Sequence, residues 1–116
     1  MKYKVSNNIG FQVQNVEQAK DFYEKALGFK EPEQSFVNEI DFRTDTNNIF
    51  LIDGNENLGP VMEVVVDDLE AAKKHLLENG CEIVRWEGKG QDCYVRDPFG
   101  MVFNVWEEKG KQPDER

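Results

Sequence analysis

The sequence predicts an α+β fold made of two βαβββ modules that form a cleft between mixed β-sheets. The first observation is an internal repeat. Shifted by 53 residues, Asn15-Val16-Glu17-Gln18-Ala19-Lys20 falls on Asp68-Leu69-Glu70-Ala71-Ala72-Lys73. The second is that the alternation Ile9, Phe11, Val13 falls on Met62, Val64, Val66, and Phe42-Arg43 on Val95-Arg96, so the shift survives the intervening helix and loop. The third is the ratio of elements. Each copy holds one helix-period stretch among several strand-period stretches, whereas a doubly wound parallel sheet needs a helix between most strands.

Residues 9 to 14 alternate apolar and polar, the pattern of a half-buried strand. Asn15 then caps a helix, with Gln18 three residues on completing a capping-box pattern. Val16, Ala19, Phe22, Tyr23, Ala26 and Leu27 form its apolar stripe, and Gly28 stops it in the left-handed conformation. Residues 36–42 and 49–52 read as strands around the turn-rich Thr44-Asp45-Thr46-Asn47-Asn48.

Leu58-Gly59-Pro60 is the predicted linker, after which the unit repeats. Val61 to Val66 is a strand; Asp67 or Asp68 caps a helix with Leu69, Ala72 and Leu76 on one face; Asn79-Gly80 ends it. Residues 82–86 and 92–96 read as strands, Asp97-Pro98-Phe99-Gly100 as a tight turn, and Met101 to Glu107 as the last strand. Residues 1–116 thus read as one domain of two repeats, about 7–57 and 60–108, with 109–116 a flexible charged tail.

The chain of 116 residues is long enough for one domain with a real core, and 39% hydrophobic content is globular despite 32% charged residues. A formal net charge of −9 repels nucleic acid and anionic membranes, so neither is an expected partner. It is compatible with a cationic ligand, though an acidic surface that only keeps the protein in solution is the commoner reason for such a charge. The first eight residues are polar, without the apolar run of a signal peptide. Cys81 and Cys93 lack metal-ligand or CxxC spacing, and a cytoplasmic protein with free core thiols is expected.

Three stretches carry a family resemblance: residues 15–29, ending in Leu27-Gly28-Phe29; Val66-Asp67-Asp68-Leu69-Glu70-Ala71-Ala72; and Tyr94 to Phe103, containing Asp97-Pro98-Phe99-Gly100. With the duplicated βαβββ pattern, the chain resembles the vicinal oxygen chelate superfamily of glyoxalase I, bleomycin-resistance proteins and extradiol dioxygenases. The resemblance implies the glyoxalase/bleomycin-resistance fold and a homodimer. In the metal-dependent members, four inward-facing strand positions hold one divalent ion. Carried onto this chain, those positions are Asn8, Val61, Leu51 and Asn104. None is His, Glu, Asp or Cys, and the neighbours Ile9, Met62, Phe50, Phe103 and Val105 offer nothing better. A divalent ion needs charged or strongly donating ligands to replace its water. The expectation is therefore no metal and no cofactor.

Alternation places Val61, Glu63, Val65 and Asp67 on the inner face. Glu63 is the candidate catalytic or cation-pairing carboxylate, unless it sits solvated at the rim. Asn8, Gln12 and Gln14 share an inner face, and Asn104 comes from the other repeat; such amides suit a polar ligand, or a water-filled channel without one. Trp106 shares the face of Asn104 and suits stacking on a flat or cationic ligand, an interface anchor or core filling. Trp86 reads as structural, and His75 as a flank residue on the second helix. Arg43 and Arg96 precede the turns, where they suit turn carboxylates such as Asp97. Gly88-Lys89-Gly90 is a flexible turn, and no nucleophile triad or phosphate loop is present.

The leading expectation is a metal-free small-molecule binding protein with a cationic or aromatic ligand, not an enzyme. Its ligand-binding residues are Asn8, Gln12, Gln14, Leu51, Val61, Glu63, Asn104 and Trp106. The alternatives are a lyase, isomerase or dioxygenase with a displaced metal site on Glu63, and a non-catalytic interaction module.

Overall fold

The computed structural model describes residues 3–108 except 31, 33, 36–38 and 57. The predicted strand residues 36–38 and the predicted tail 109–116 lie outside the described residues. Ten elements follow in order: β1 (Tyr3–Val13), α1 (Val16–Leu27), β2 (Gln34–Ser35), β3 (Glu39–Arg43), β4 (Asn48–Asp53), β5 (Pro60–Val66), α2 (Leu69–Glu78), β6 (Glu82–Trp86), β7 (Cys93–Arg96) and β8 (Val102–Glu107). The order is βαβββ twice, an α+β fold. No helix among the described residues is long and apolar enough to cross a membrane.

Two compact units divide the chain: residues 7–61 in one, residues 3–6 with those from Met62 onward in the other. The first unit orders its strands β2-β3-β4-β1. There β1 runs parallel to β4 with Asn8 beside Asn48 and Phe11 beside Leu51, and β3 runs antiparallel to β4. The second unit orders its strands β5-β8-β7-β6, with β5 parallel to β8 and Glu63 beside Asn104.

The helix ends are set by short-range chemistry. Asn15 Oδ1 accepts the Gln18 amide at 2.9 Å, and Asp68 Oδ1 accepts the Ala71 amide at 3.0 Å. Each cap satisfies a donor that no helical carbonyl can reach. Asp68, not Asp67, is thus the second cap. Gly28 takes φ 72°, and the Phe29 amide returns to the Tyr23 carbonyl at 3.1 Å. That left-handed residue ends α1 as predicted.

One face of each sheet packs on its helix. In the first unit Val16, Ile40, Phe42 and Leu51 are buried, with Phe11, Val13, Ala19, Tyr23, Phe29 and Ile49 against them. In the second, Val66, Leu69, Ala72, Cys93, Val95, Phe103 and Val105 form the core, with Leu76 and Trp86 against it. The α1 stripe is narrower than its sequence pattern: Phe22 and Leu27 are each 57% exposed. Only the Val16, Ala19, Tyr23 line meets the core, because Phe22 sits on the flank of the helix and Leu27 is its last residue.

Two strands differ from the sequence reading at their ends. β1 starts at Tyr3, six residues before the alternation becomes apolar, and it stops at Val13, leaving Gln14 exposed in a bend. β6 carries a register irregularity between Ile83 and Arg85. The extra residue lets Ile83 and Trp86 both reach the core while Arg85 turns to the other face.

The turn before β8 is held by Asp97, whose Oδ1 accepts the Phe99 and Met101 amides at 2.8 and 3.0 Å. Arg96 does not serve that carboxylate: it pairs with Glu82 across β6–β7 at 3.0 Å. Replacing Asp68→Ala should remove the α2 cap and cost about 1 kcal/mol. Thermal melting of the variant should fall by roughly 4 °C relative to the parent.

Candidate functional site

The face of the second unit opposite α2 carries three of the predicted site residues, Glu63, Asn104 and Trp106. Along β5, Met62, Val64 and Val66 turn to the helix, so Val61, Glu63 and Val65 turn away. Along β8, Phe103 and Val105 turn to the helix, so Val102, Asn104 and Trp106 turn away. Register then sets Glu63 beside Asn104, Val65 beside Trp106, and Tyr94 of β7 on the other side of Asn104. Glu63 is 3% exposed, so it is a buried carboxylate and not a rim one. Ser6 Oγ donates to its Oε1 at 3.1 Å. Sequence reasoning missed Ser6, because β1 was expected to begin only at Ile9.

Next to these residues the Arg85 guanidinium lies 5.5 Å from the centre of the buried Tyr94 ring and 3.3 Å from Asp92 Oδ2. A cation over an aromatic face is held by the ring quadrupole, and the carboxylate adds charge. Asn104 contributes less than predicted, since its Oδ1 accepts the Cys93 amide at 3.0 Å. That bond ties β8 to the start of β7. Trp86 lies in the core on the other side, its Nε1 donating to Glu70 at 3.3 Å and Lys73 Nζ 5.2 Å from its ring. His75 is an exposed residue in the last turn of α2, with its ring 5.8 Å from that of Tyr3.

In the first unit the face opposite α1 carries Asn8, Gly10 and Gln12 of β1 beside Asn48, Phe50 and Ile52 of β4. Asn8 is 4% exposed and Asn48 is 7% exposed. The Asn48 Nδ2 donates to Asn8 Oδ1 at 2.7 Å, so the predicted ligand amide already serves a buried partner. Gln12 is committed as well. Its Nε2 donates to Glu56 at 3.1 Å, and its Oε1 accepts the Glu56 amide at 2.8 Å. This two-point clamp holds the loop after β4, and a Cβ on Gly54 would run into the Gln12 side chain.

Leu51 does not join this face. It is fully buried against α1, with Phe11 and Ile40. The cause is one extra residue in the turn before β8. Arg43 pairs with Asn48, whereas its repeat Arg96 pairs with Val102, so the second turn is one residue longer. The 53-residue shift therefore holds through β3 and becomes 54 at β4. Leu51 matches Val105, and Phe50 is the residue that matches Asn104.

The corrected four positions are Asn8, Phe50, Val61 and Asn104, and they do not fit a divalent ion. Two are hydrocarbon, and both amide oxygens accept hydrogen bonds from within the fold. Among the described residues no three His, Cys, Asp or Glu side chains come together as metal ligands. Cys81 and Cys93 are not disulfide-bonded, and burial pushes both thiols up, away from the reactive thiolate.

A family model described as Glyoxalase/Bleomycin resistance protein/Dioxygenase superfamily matches residues 6–105. No curated protein matches the chain. Among solved structures, a glyoxalase/bleomycin resistance protein/dioxygenase superfamily member from Vibrio splendidus 12B01 superposes with a TM-score of 0.64 at 16% identity, covering 92% of this chain and 100% of its own. Methylmalonyl-CoA epimerase from Mycobacterium tuberculosis gives 0.59 at 19% identity, covering 89% of this chain and 87% of its own. A variant of homoprotocatechuate 2,3-dioxygenase from B. fuscum gives 0.59 at 20% identity, covering 92% of this chain and 33% of its own. Identities this low make the likeness one of fold.

The buried amide pair can be tested by double substitution. Asn48→Leu removes the donor that faces Asn8, a loss of about 1–3 kcal/mol for a buried acceptor. Adding Asn8→Leu should recover much of that loss in urea denaturation, because neither buried amide remains.

Proposed function

This chain belongs to the glyoxalase/bleomycin resistance protein/dioxygenase superfamily, and we propose that within it the protein binds a small molecule without a metal. The observation that carries this reading is the donor set: where the metal-dependent members hold ligands, this chain has two engaged amides, a valine and a phenylalanine. A displaced site on Glu63 would need two more acidic, His or Cys donors beside it, and among the described residues no such trio gathers.

The ligand is cationic or aromatic. Glu63 supplies a carboxylate to a face that also carries Trp106, with the Tyr94 ring buried there against the Arg85 guanidinium. A carboxylate with aromatic neighbours attracts a flat cation by charge and by ring quadrupole together. The net charge of −9 favours the approach of such a ligand over long distances.

Elemental analysis of purified protein should find no stoichiometric metal, and divalent ions should leave the melting temperature unchanged. Near-stoichiometric metal that raises it would overturn the proposal. Benzyltrimethylammonium, an aromatic cation, should raise the melting temperature of the parent. At a concentration of 100 times its Kd the stabilisation is about 2.7 kcal/mol. Glu63→Gln should abolish most of that rise while keeping the fold.

A further inference from the structure

We propose that the Asn79–Gly80 bond at the end of α2 is a site of spontaneous deamidation, a one-way modification that the helix cap restrains and that in turn undoes the cap. Of the ten asparagines, only Asn79 is followed by glycine. The chemistry favours that neighbour, because the attacking group is the backbone nitrogen of the next residue and a side chain there hinders its approach to the asparagine Cγ. Asn8 and Asn48 precede isoleucine, and Asn15 and Asn104 precede valine, the stiff branched side chains that hinder it most. Asn79 and Gly80 are also exposed, within the run 77–80 that meets water between the half-buried Leu76 and Cys81.

The closed cap engages both reacting groups elsewhere. Asn79 Nδ2 donates to the His75 carbonyl at 2.8 Å. The Gly80 amide donates to the Leu77 carbonyl at 3.2 Å and the Cys81 amide to the Leu76 carbonyl at 3.0 Å, across a Gly80 held at φ 89°. That pair of bonds around a left-handed residue closes the helix end. While it holds, the Gly80 proton is tied up and the Asn79 amide is turned back along the helix. The reaction therefore starts from a form in which the last turn has opened. Such opening is local, since residues 77–80 contribute nothing to the buried core that anchors α2.

The atoms balance with water as the only co-reactant. Hydroxide takes the Gly80 amide proton, and the nitrogen attacks Asn79 Cγ. The N–Cγ bond forms, the Cγ–Nδ2 bond breaks, and the Nδ2 group leaves as ammonia after taking a proton from water. Water then opens the resulting cyclic imide at either carbonyl. Breaking the new N–Cγ bond leaves aspartate at position 79; breaking the original backbone bond to Gly80 leaves isoaspartate, with the main chain rerouted through the side chain.

Neither product can close the cap again. A carboxylate has no N–H to give the His75 carbonyl, and it adds a negative charge at the end of the helix where the macrodipole is already negative. Isoaspartate also lengthens the main chain by one carbon, which moves the Gly80 and Cys81 amides off their carbonyls. The modification is thus a timer for opening of α2, and it does not depend on the binding function proposed above.

The test holds the purified protein in mildly alkaline buffer, folded and in urea, and follows tryptic peptide 75–85 by mass spectrometry and isoaspartate assay. The folded protein should accumulate both products at Asn79 and at no other asparagine. Two hydrogen bonds must open first, so it should do so roughly tenfold more slowly than the chain in urea. Asn79→Gln should abolish the reaction, since the longer side chain closes its ring far more slowly. Amide hydrogen exchange at Gly80 and Cys81 should be several-fold faster in the deamidated protein than in the parent. An Asn79 that stays intact in the folded protein long after the urea sample is fully converted overturns the site. Equal rates in the two samples overturn the restraint by the cap, and unchanged exchange after deamidation overturns its loss.

Discussion

The register between the first and last strands of each unit determines almost everything else in this structure. Side chains alternate across a strand, so a slip of one residue would send every core residue to the opposite face. In the first unit the register joins Phe11 to Leu51, which buries both against α1. In the second it joins Val64 to Val105, which buries both against α2. The same two registers decide the far faces, where Gly10 meets Phe50 and Glu63 meets Asn104. The extra residue before β8 leaves this arrangement intact because the Asp97 turn absorbs it, with Asp97 Oδ1 taking two amides at once. A turn that could not absorb it would have moved Asn104 into the apolar core.

Polar side chains reinforce these registers from the face that lacks a helix. Asn48 bonds Asn8 across the β1–β4 pair, and Asn104 accepts the Cys93 amide across β7–β8. A slipped register would leave these buried groups unsatisfied, at a cost comparable to the loss of a core methyl group or more. The amides of Asn8 and Asn104 therefore have a structural occupation.

Much of the fold was legible because its signals are local. Asn15, Gly28 and Asp68 act within five residues of themselves, and the core alternation of β5 and β8 can be read directly from Met62 to Val66 and from Val102 to Trp106. The site was less legible because its determinants are not local. Leu51 was placed on the wrong face by a repeat that is exact until a single inserted residue, which identity matching across a weakly similar turn does not reveal. Gln12 looks like a ligand amide in sequence, but its partner Glu56 lies 44 residues away in a loop without periodicity. Ser6 sits in a polar stretch, Lys4 to Asn8, where strand alternation has no apolar contrast. Glu63 could be read because it interrupts an otherwise apolar strand, and a charge in such a run must be either solvated or specifically held.

Glu63 also bears on what the face away from the helix can accommodate. It lies two residues along β5 from Val61, on the same face, so a carboxylate there needs no change in backbone or register. A charge can therefore be placed on this face while every helix-facing core contact is kept. The constraint on such a change is burial: a carboxylate at 3% exposure must find a donor close by. Ser6 Oγ is one such donor, supplied by the early residues of β1, which lie outside the helix-facing core. The early start of β1 thus brings a hydroxyl donor to a carboxylate that the same burial takes away from water.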